Sequence, residues 1–449
     1  MTDYLKCSAS VFTFIFLTLS SAAIADVKAG ESNMEKGISI TVGLKDADIV
    51  GSDNRTLQAA VDYVAGLGGG TVNIGPGTYL MKDSLHLRSS VTIVGQGEVT
   101  VLHKCDGATS PLATDGDYGQ EEITLADPTG FEVGMGVTVA DDNSGGFHTT
   151  VATIISQEGD RFAISKPLNA DCMVHRNASA RSTFPVISGY YVDNVRLERL
   201  TVDGNRESND HLNGCRGAGI FFYRANNTHI IDCVIHNYNG DGISFQQSND
   251  IVVENCESYE NASLGFHPGS GSQRPIMKNN RAHENGSDGL FLCWRVRHGL
   301  FEGNELRNNG QFGISIGHKD SDNVLRNNVV VGNKSHGIFF RNEPEYTGGH
   351  RNLLESNKIH DNGAGGEGCG IYIRGETHDI TIVGNEIGDT RPEGEKTQQF
   401  GIWIGPKADR ITIKSNKIEG NKEGPVKNEA VDAQVEISDL GSPSAKNSD

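Results

Sequence analysis

The sequence predicts an all-β solenoid, a right-handed parallel β-helix with an N-terminal helical cap. Three observations carry this expectation. Gly-led runs recur, as in Gly219-Ile220-Phe221-Phe222, Gly242-Ile243-Ser244-Phe245 and Gly401-Ile402-Trp403-Ile404, and the opening Gly steps by 23, 23, 24, 24, 24, 33 and 31 residues. A period in this range is the mark of stacked repeats. Each block also holds a second and a third short apolar run, such as Ile251-Val252-Val253 and Lys358-Ile359-His360. Three short strands joined by Gly, Asn and Asp turns describe one coil. Finally, an Asn follows the second run in block after block: Asn255, Asn280, Asn304, Asn328, Asn357, Asn385 and Asn416. Such side chains can hydrogen-bond from coil to coil across about 4.8 Å. Leucine-rich repeats share the period but their L-x-x-L-x-L signature is missing, and hexapeptide β-helices have the wrong period.

In chain order, residues 1–25 read as a secretory signal. Lys6 is its positive end, Val11 to Leu19 its apolar core and Ala23-Ile24-Ala25 its small-residue cleavage site. A secreted or periplasmic protein is expected. Residues 26–104 form the cap and first coils. Asp53-Asn54 precede Leu57, Ala60, Val61 and Val64 at helical spacing, and Gly66 to Gly70 end the helix. A solenoid needs such a cap because its open end exposes core and unpaired backbone. Residues 105–180 lose the period and read as a β-rich insertion. The main β-helix spans 181–420, and 421–449 read as a polar tail in which Ala433 to Ile437 can add one strand.

The formal net charge of −19 argues against nucleic acid and anionic membranes as partners. No apolar run reaches the roughly 18 residues of a membrane span. Seven cysteines follow the leader, an odd and scattered set that is no disulfide framework. Cys105 and Cys172 are placed to pair across the insertion, whereas Cys233 and Cys256 read as stacked buried thiols.

Alternation decides which side chains face out. The first and third residues after each Gly are apolar and point inward. The second, fourth and sixth therefore line one outer face, which gathers Tyr223, Arg224, Gln246, His267, Trp294, Arg295, His318, Lys319, Arg341, Asn342, Glu343, Tyr372, Arg374 and Glu376. From the coil of His267 to that of Arg374 is roughly 19 Å at one strand spacing per coil. That is a slot for a chain of several sugars. Aromatic rings suit sugar faces and Arg suits carboxylates. An anionic polysaccharide is therefore the expected substrate. The 33-residue step from Gly337 to Gly370 places a loop with Glu343, Tyr346 and His350 beside this face. Asp241 and Asp288, each just before an opening Gly, read as turn residues. Cys293 reads as a half-buried structural thiol.

Two stretches resemble known families. The helix followed by "GGGTVNIGPGTYLM" and "LHLRSSVTIVGQG" resembles the cap and first coil of secreted pectate-lyase-like β-helix proteins. "NASLGFHPGSGSQRPIMKNNRAHENGSDGLFLCWRV" resembles the catalytic coils of alginate (mannuronan) carbon-5 epimerases, which carry Tyr-Gly-Phe-Asp-Pro-His and a later Asp. The family's Tyr falls on Leu264, its first Asp on His267, its His on Gly269 and its later Asp on Cys293. The scaffold is kept and the catalytic set replaced. Calcium occurs in similar families, but no clustered acidic ligand set is legible on the outer face.

The set present suits β-elimination from a uronate. His267 or His318 would take the carbon-5 proton. Arg295, Lys319 and Arg341 would hold the adjacent carboxylate, and Tyr223 or the other His would return a proton. Carbon-5 epimerisation on the same polymer, hydrolysis by Glu343 and Glu376, and carbohydrate binding without catalysis are the alternatives.

Overall fold

Each Gly-led block closes one coil of three strands, and the coils stack into a right-handed parallel β-helix. The computed structural model describes residues 37–366, 368–430 and 433–438. The leader expected at 1–25 lies outside them. The described strands build two 11-stranded sheets and one 14-stranded sheet, and the ladder runs parallel throughout. One 11-stranded sheet holds the Gly-led strands, from Leu85–His86 through Asp241–Gln246 to Gly424–Asn428. Its inward residues, among them Ile243, Phe245, Ile314, Ile316, Ile371 and Ile373, are fully buried between the three sheets.

The N-terminal end is closed by the helix Asn54–Gly66, capped by the Asp53 carboxylate on Thr56 N at 3.2 Å. Leu57, Ala60, Val61 and Val64 seal the core there. At the other end, the stretch read as a polar tail contains the strands Gly424–Asn428 and Val435–Ser438. These extend two sheets by one more step, because Val426 and Val435 still find apolar neighbours to cover.

The Asn column forms a ladder. Nδ2 of Asn280 donates to Oδ1 of Asn304 at 2.9 Å, and the same bond links Asn304, Asn328, Asn357, Asn385 and Asn416 at 2.9 to 3.0 Å. Asn255 does not belong to it. The backbone places Cys256 in that position, where its N–H donates to Asn280, and Asn255 turns out to solvent. A second ladder runs through Asn261, Asn285, Asn309, Asn333 and Asn362 at 3.0 Å per step. Each buried amide also satisfies a turn carbonyl that would otherwise be orphaned. Cys105 and Cys172 are both free thiols, so the pairing considered for them is not formed.

Between the first coils stands a six-stranded antiparallel sheet, from Thr109–Pro111 to Ser179–Arg181. It is fastened to the first Gly-led coil. Thr153 Oγ1 donates to Asp83 at 2.6 Å, and Gly136 N donates to Lys82 O at 2.9 Å. The insertion thus stands as a wall at the N-terminal end of the Gly-led face. Among the described residues no helix is long and apolar enough to cross a membrane.

Candidate functional site

The opening Gly of each block shapes the outer face. A Cβ on Gly242 would lie 2.0 Å from Ser258 Oγ, and one on Gly313 2.2 Å from Val330 Cγ1, so these glycines face the interior. The residue after each Gly faces inward as well. The strand bends at the Gly, and the residue before it is thrown onto the outer face. Asp241 is therefore not a turn residue but opens the strand Asp241–Gln246, whereas Asp288 stays in the turn before the strand Leu290–Phe291. Both are 2% exposed; Asp241 sits on the outer face beside His267, and Asp288 accepts from Phe312 N–H at 3.2 Å.

At the coil of His267 this face is roofed. The segment from Arg206 to Gly217 crosses it, and Gly214 O accepts from Ser244 Oγ at 2.7 Å and from Gln246 Nε2 at 3.3 Å. Gln246 is fully buried and His267 only 5% exposed. Asp241 Oδ2 lies 2.7 Å from His267 Nδ1. Burial alone would lower the pKa of His267, but bonding to Asp241 and to Cys293 outweighs it and raises the group to about 10. His267 is thus an imidazolium at neutral pH and has no lone pair to offer a substrate. Asp288 is held up at about 7, because burial outweighs the pull of Phe312 N–H and Arg341.

The His267–Asp241 pair sets a pH signature. The folded value lies above the ordinary value of about 6.5, so the stabilisation is fully present below that pH and is lost as pH rises toward 10. Thermal denaturation from pH 6 to 10 should show wild type losing stability more steeply than His267→Gln. Parallel curves would mean that His267 is neutral in the folded protein.

Arg341 lies flat across the outer face, tied down by protein partners. Its Nη1 donates to Ser315 Oγ at 2.8 Å, and its Nη2 to Leu292 O at 2.7 Å and Asp320 Oδ2 at 3.0 Å. The guanidinium covers the Phe291 ring at 4.5 Å, and its side chain is 13% exposed.

The open part of the site lies at the strand ends. Trp294 and Arg295, then His318 and Lys319, take left-handed backbone conformations in successive coils, with φ of 57°, 68°, 46° and 67°. The turn carries these side chains to one edge of the face. The imidazole of His318 stacks on Trp294 at 4.6 Å. Its Nε2 lies 2.7 Å from Glu343 Oε1. Glu343 is brought there by the loop Asn342–Gly349, whose Thr347 carbonyl also receives Lys319 N–H at 2.7 Å. A carboxylate accepts, so Nε2 carries the hydrogen and Nδ1 the lone pair. Nδ1 is covered and has no partner. Burial and the Arg341 charge lower the pKa of His318, against the pull of Glu343, so the ring is neutral at pH 7. Trp294 and Arg295 are exposed, and Lys319 is half-buried.

The remaining expected residues divide by position. Asn342 and Arg374 are exposed on the same edge, with Arg374 over Tyr372 at 5.6 Å. Glu376 accepts from Lys407 and from Glu345 N–H, so it and Glu343 are each committed to separate partners. Tyr223 and Arg224 stand four strand steps from His318, roughly 19 Å. Tyr223 therefore cannot serve the same bond. Among the described residues no group of three or more His, Cys, Asp or Glu is placed to hold a metal. A larger cavity of about 680 Å³ beside the N-terminal cap has only the exposed Lys45, Asp46 and Arg199 as charged lining, with no buried titratable group.

The profile of a family described as right handed beta helix region matches residues 187–345 and 297–439. No curated protein sequence matches the chain. Among solved structures, the A-module of Azotobacter vinelandii mannuronan C-5 epimerase AlgE6 superposes with a TM-score of 0.61 at 18% identity, covering 90% of this chain and 99% of that one. The A-module of AlgE4 from the same organism gives 0.58 at 20% identity, covering 88% and 100%. Repeat period, Asn ladders, three parallel sheets and the profile agree: the chain belongs to the right-handed β-helix family.

Proposed function

We propose that the protein is a polysaccharide lyase that cleaves a uronic-acid-containing chain by β-elimination, with His318 as the base. The observation that supports this reading is the open edge where Trp294, Arg295, His318 and Lys319 converge beside Glu343. The two structural neighbours are named for mannuronan, itself a uronate polymer. The leader read at 1–25 would send the enzyme to the periplasm or outside, where such polymers are met.

Arg295 and Lys319 would hold the sugar carboxylate, so that negative charge can gather on it as carbon 5 loses its proton. Removing one such donor typically costs about 10² to 10³ in rate. His318 takes the proton on Nδ1. The carbon 4–oxygen bond then breaks, a carbon 4–carbon 5 double bond forms, and the imidazolium returns the proton to the leaving oxygen on the same sugar face. Uncovering Nδ1 requires a side-chain rotation that also frees the Trp294 ring for a sugar. Catalytic contacts often tighten only in the substrate complex. His267 under its roof and Arg341 lying flat on the face are held by protein partners in this scheme and position the strands that carry the edge.

The test is a screen of purified protein against alginate, pectate, glucuronan and glycosaminoglycans. Ultraviolet absorbance of an unsaturated product and proton exchange at carbon 5 are read together. A rise in absorbance supports the lyase. Exchange without absorbance would replace it by an epimerase. Binding with neither would make the protein a carbohydrate-binding β-helix.

A further inference from the structure

The strand-end edge runs from His318 and Trp294 past Ser270 and Gln247 to Arg224, and four strand steps from His318 the inserted sheet meets the coils in a pocket of about 220 Å³. Lys166 and Asn169 come from the insertion, and Tyr190, Tyr191, Arg216 and Tyr223 from the coils. The lining holds two cations and no carboxylate, in a chain of net charge −19. Arg216 is fixed in place by the Phe147 carbonyl and lies 5.6 Å over the Tyr223 ring. The Lys166 ammonium lies 3.8 Å over Tyr190. Lys166 is an exposed residue, but desolvation of its ammonium over the ring and the nearby Arg216 charge lower its pKa, against the pull of Asp83. Two like charges facing one small space are relieved by an anion. Tyr191 is 64% exposed and holds a φ of 55°, a costly conformation for a bulky residue. Its ring meets Tyr223 edge-on at 5.7 Å and makes a ready platform for a sugar face.

We propose that this pocket is an anchoring subsite for an anionic sugar, and that its distance from His318 sets the length of the released fragment. The proposal rests on the groove reading above. A 1,4-linked pyranose chain advances by about one strand spacing per sugar, so the anchored residue lies about four sugars from the scissile bond. The wall formed by the insertion stops the chain from running further. The dominant short product should then be about four residues long. The anion can be a carboxylate or a sulfate, since both pair with Lys and Arg.

The experiment titrates the full chain with oligosaccharides of two to eight residues prepared from alginate, pectate and glucuronan. Carboxyl-reduced and sulfated chains form separate arms. Lys166→Gln leaves the fold unburdened because the ammonium only overlies Tyr190, and Tyr191→Ala removes an exposed ring. Each should weaken binding of charged chains of four or more residues by about ten- to a hundredfold, and product lengths should spread. Tighter binding of the sulfated arm would name sulfate as the anion and support the anchor. Unchanged affinity in both variants, or equal affinity for carboxyl-reduced chains, would overturn it and leave the His318 reading standing. Weakened binding in the variants of a protein that neither cleaves nor exchanges would support the anchor and overturn the lyase.

Discussion

His318→Gln is expected to lower turnover of the cleaved polymer by about 10² to 10⁴, the usual contribution of a general base. KM should change little, because Trp294, Arg295 and Lys319 keep the sugar in place. The amide fills similar space and can still bond Glu343, so loss of rate reports loss of the proton acceptor. The pH profile gives an independent reading. Burial and Arg341 lower the pKa of His318 while Glu343 raises it. The acidic limb of the rate should therefore fall below the ordinary imidazole value of about 6.5. Glu343→Gln removes the raising influence and should push that limb lower still. Near-native kcat in His318→Gln on a proven substrate would place the base elsewhere.

Arg341→Ala should destabilise the central coils by about 1 to 3 kcal/mol, the typical cost of leaving buried polar groups without their hydrogen-bond partner. The group left behind is Asp320, whose side chain is fully buried and accepts from Val296 N–H at 2.9 Å and Gly317 N–H at 3.1 Å; burial holds its pKa up at about 7 even beside Arg341, so it takes a proton when the guanidinium is gone. Activity should fall with it, since Arg341 ties the Leu292 carbonyl just before Trp294 and Arg295. A solenoid unfolds through local units, so hydrogen exchange of the coils from Phe291 to Phe340 is the more direct measurement, with chemical denaturation alongside. Adding Asp320→Asn should recover part of the loss. If Arg341→Ala kept full stability and normal exchange while turnover vanished, Arg341 would have to contact the substrate itself.

The columns of the solenoid were legible because they are set by near-neighbour geometry. A Gly repeated where no Cβ fits, an Asn repeated where a turn carbonyl needs a donor, and strict alternation after each Gly all recur in register. The placement of Trp294, Arg295, His318 and Lys319 along one face follows from the same count. So does the helix Asn54–Gly66, whose cap and apolar spacing lie within one short stretch.

Other features depended on contacts that no local pattern encodes. The bend at Gly242 turned Asp241 outward, against simple alternation. The Arg206–Gly217 segment roofed Gln246 and His267; against the effect of that burial, Asp241 and Cys293 made an imidazolium of the His that sequence offered as an equal candidate for the base. Arg341 looked like a free groove cation, yet it lies flat on the face, bonded to Ser315, Asp320 and Leu292 O. A loop inserted after Phe340 carried Glu343 to His318. Lys166 and Arg216 lie in irregular segments or outside the repeat, and only the docking of the insertion brought them to Tyr190. Sequence by itself determined the coil, its period and the face on which chemistry is built, because those repeat every 23 or 24 residues. Which side chains on that face are free, charged or covered was decided by tertiary structure, because burial and ion pairing join residues that are distant in the chain.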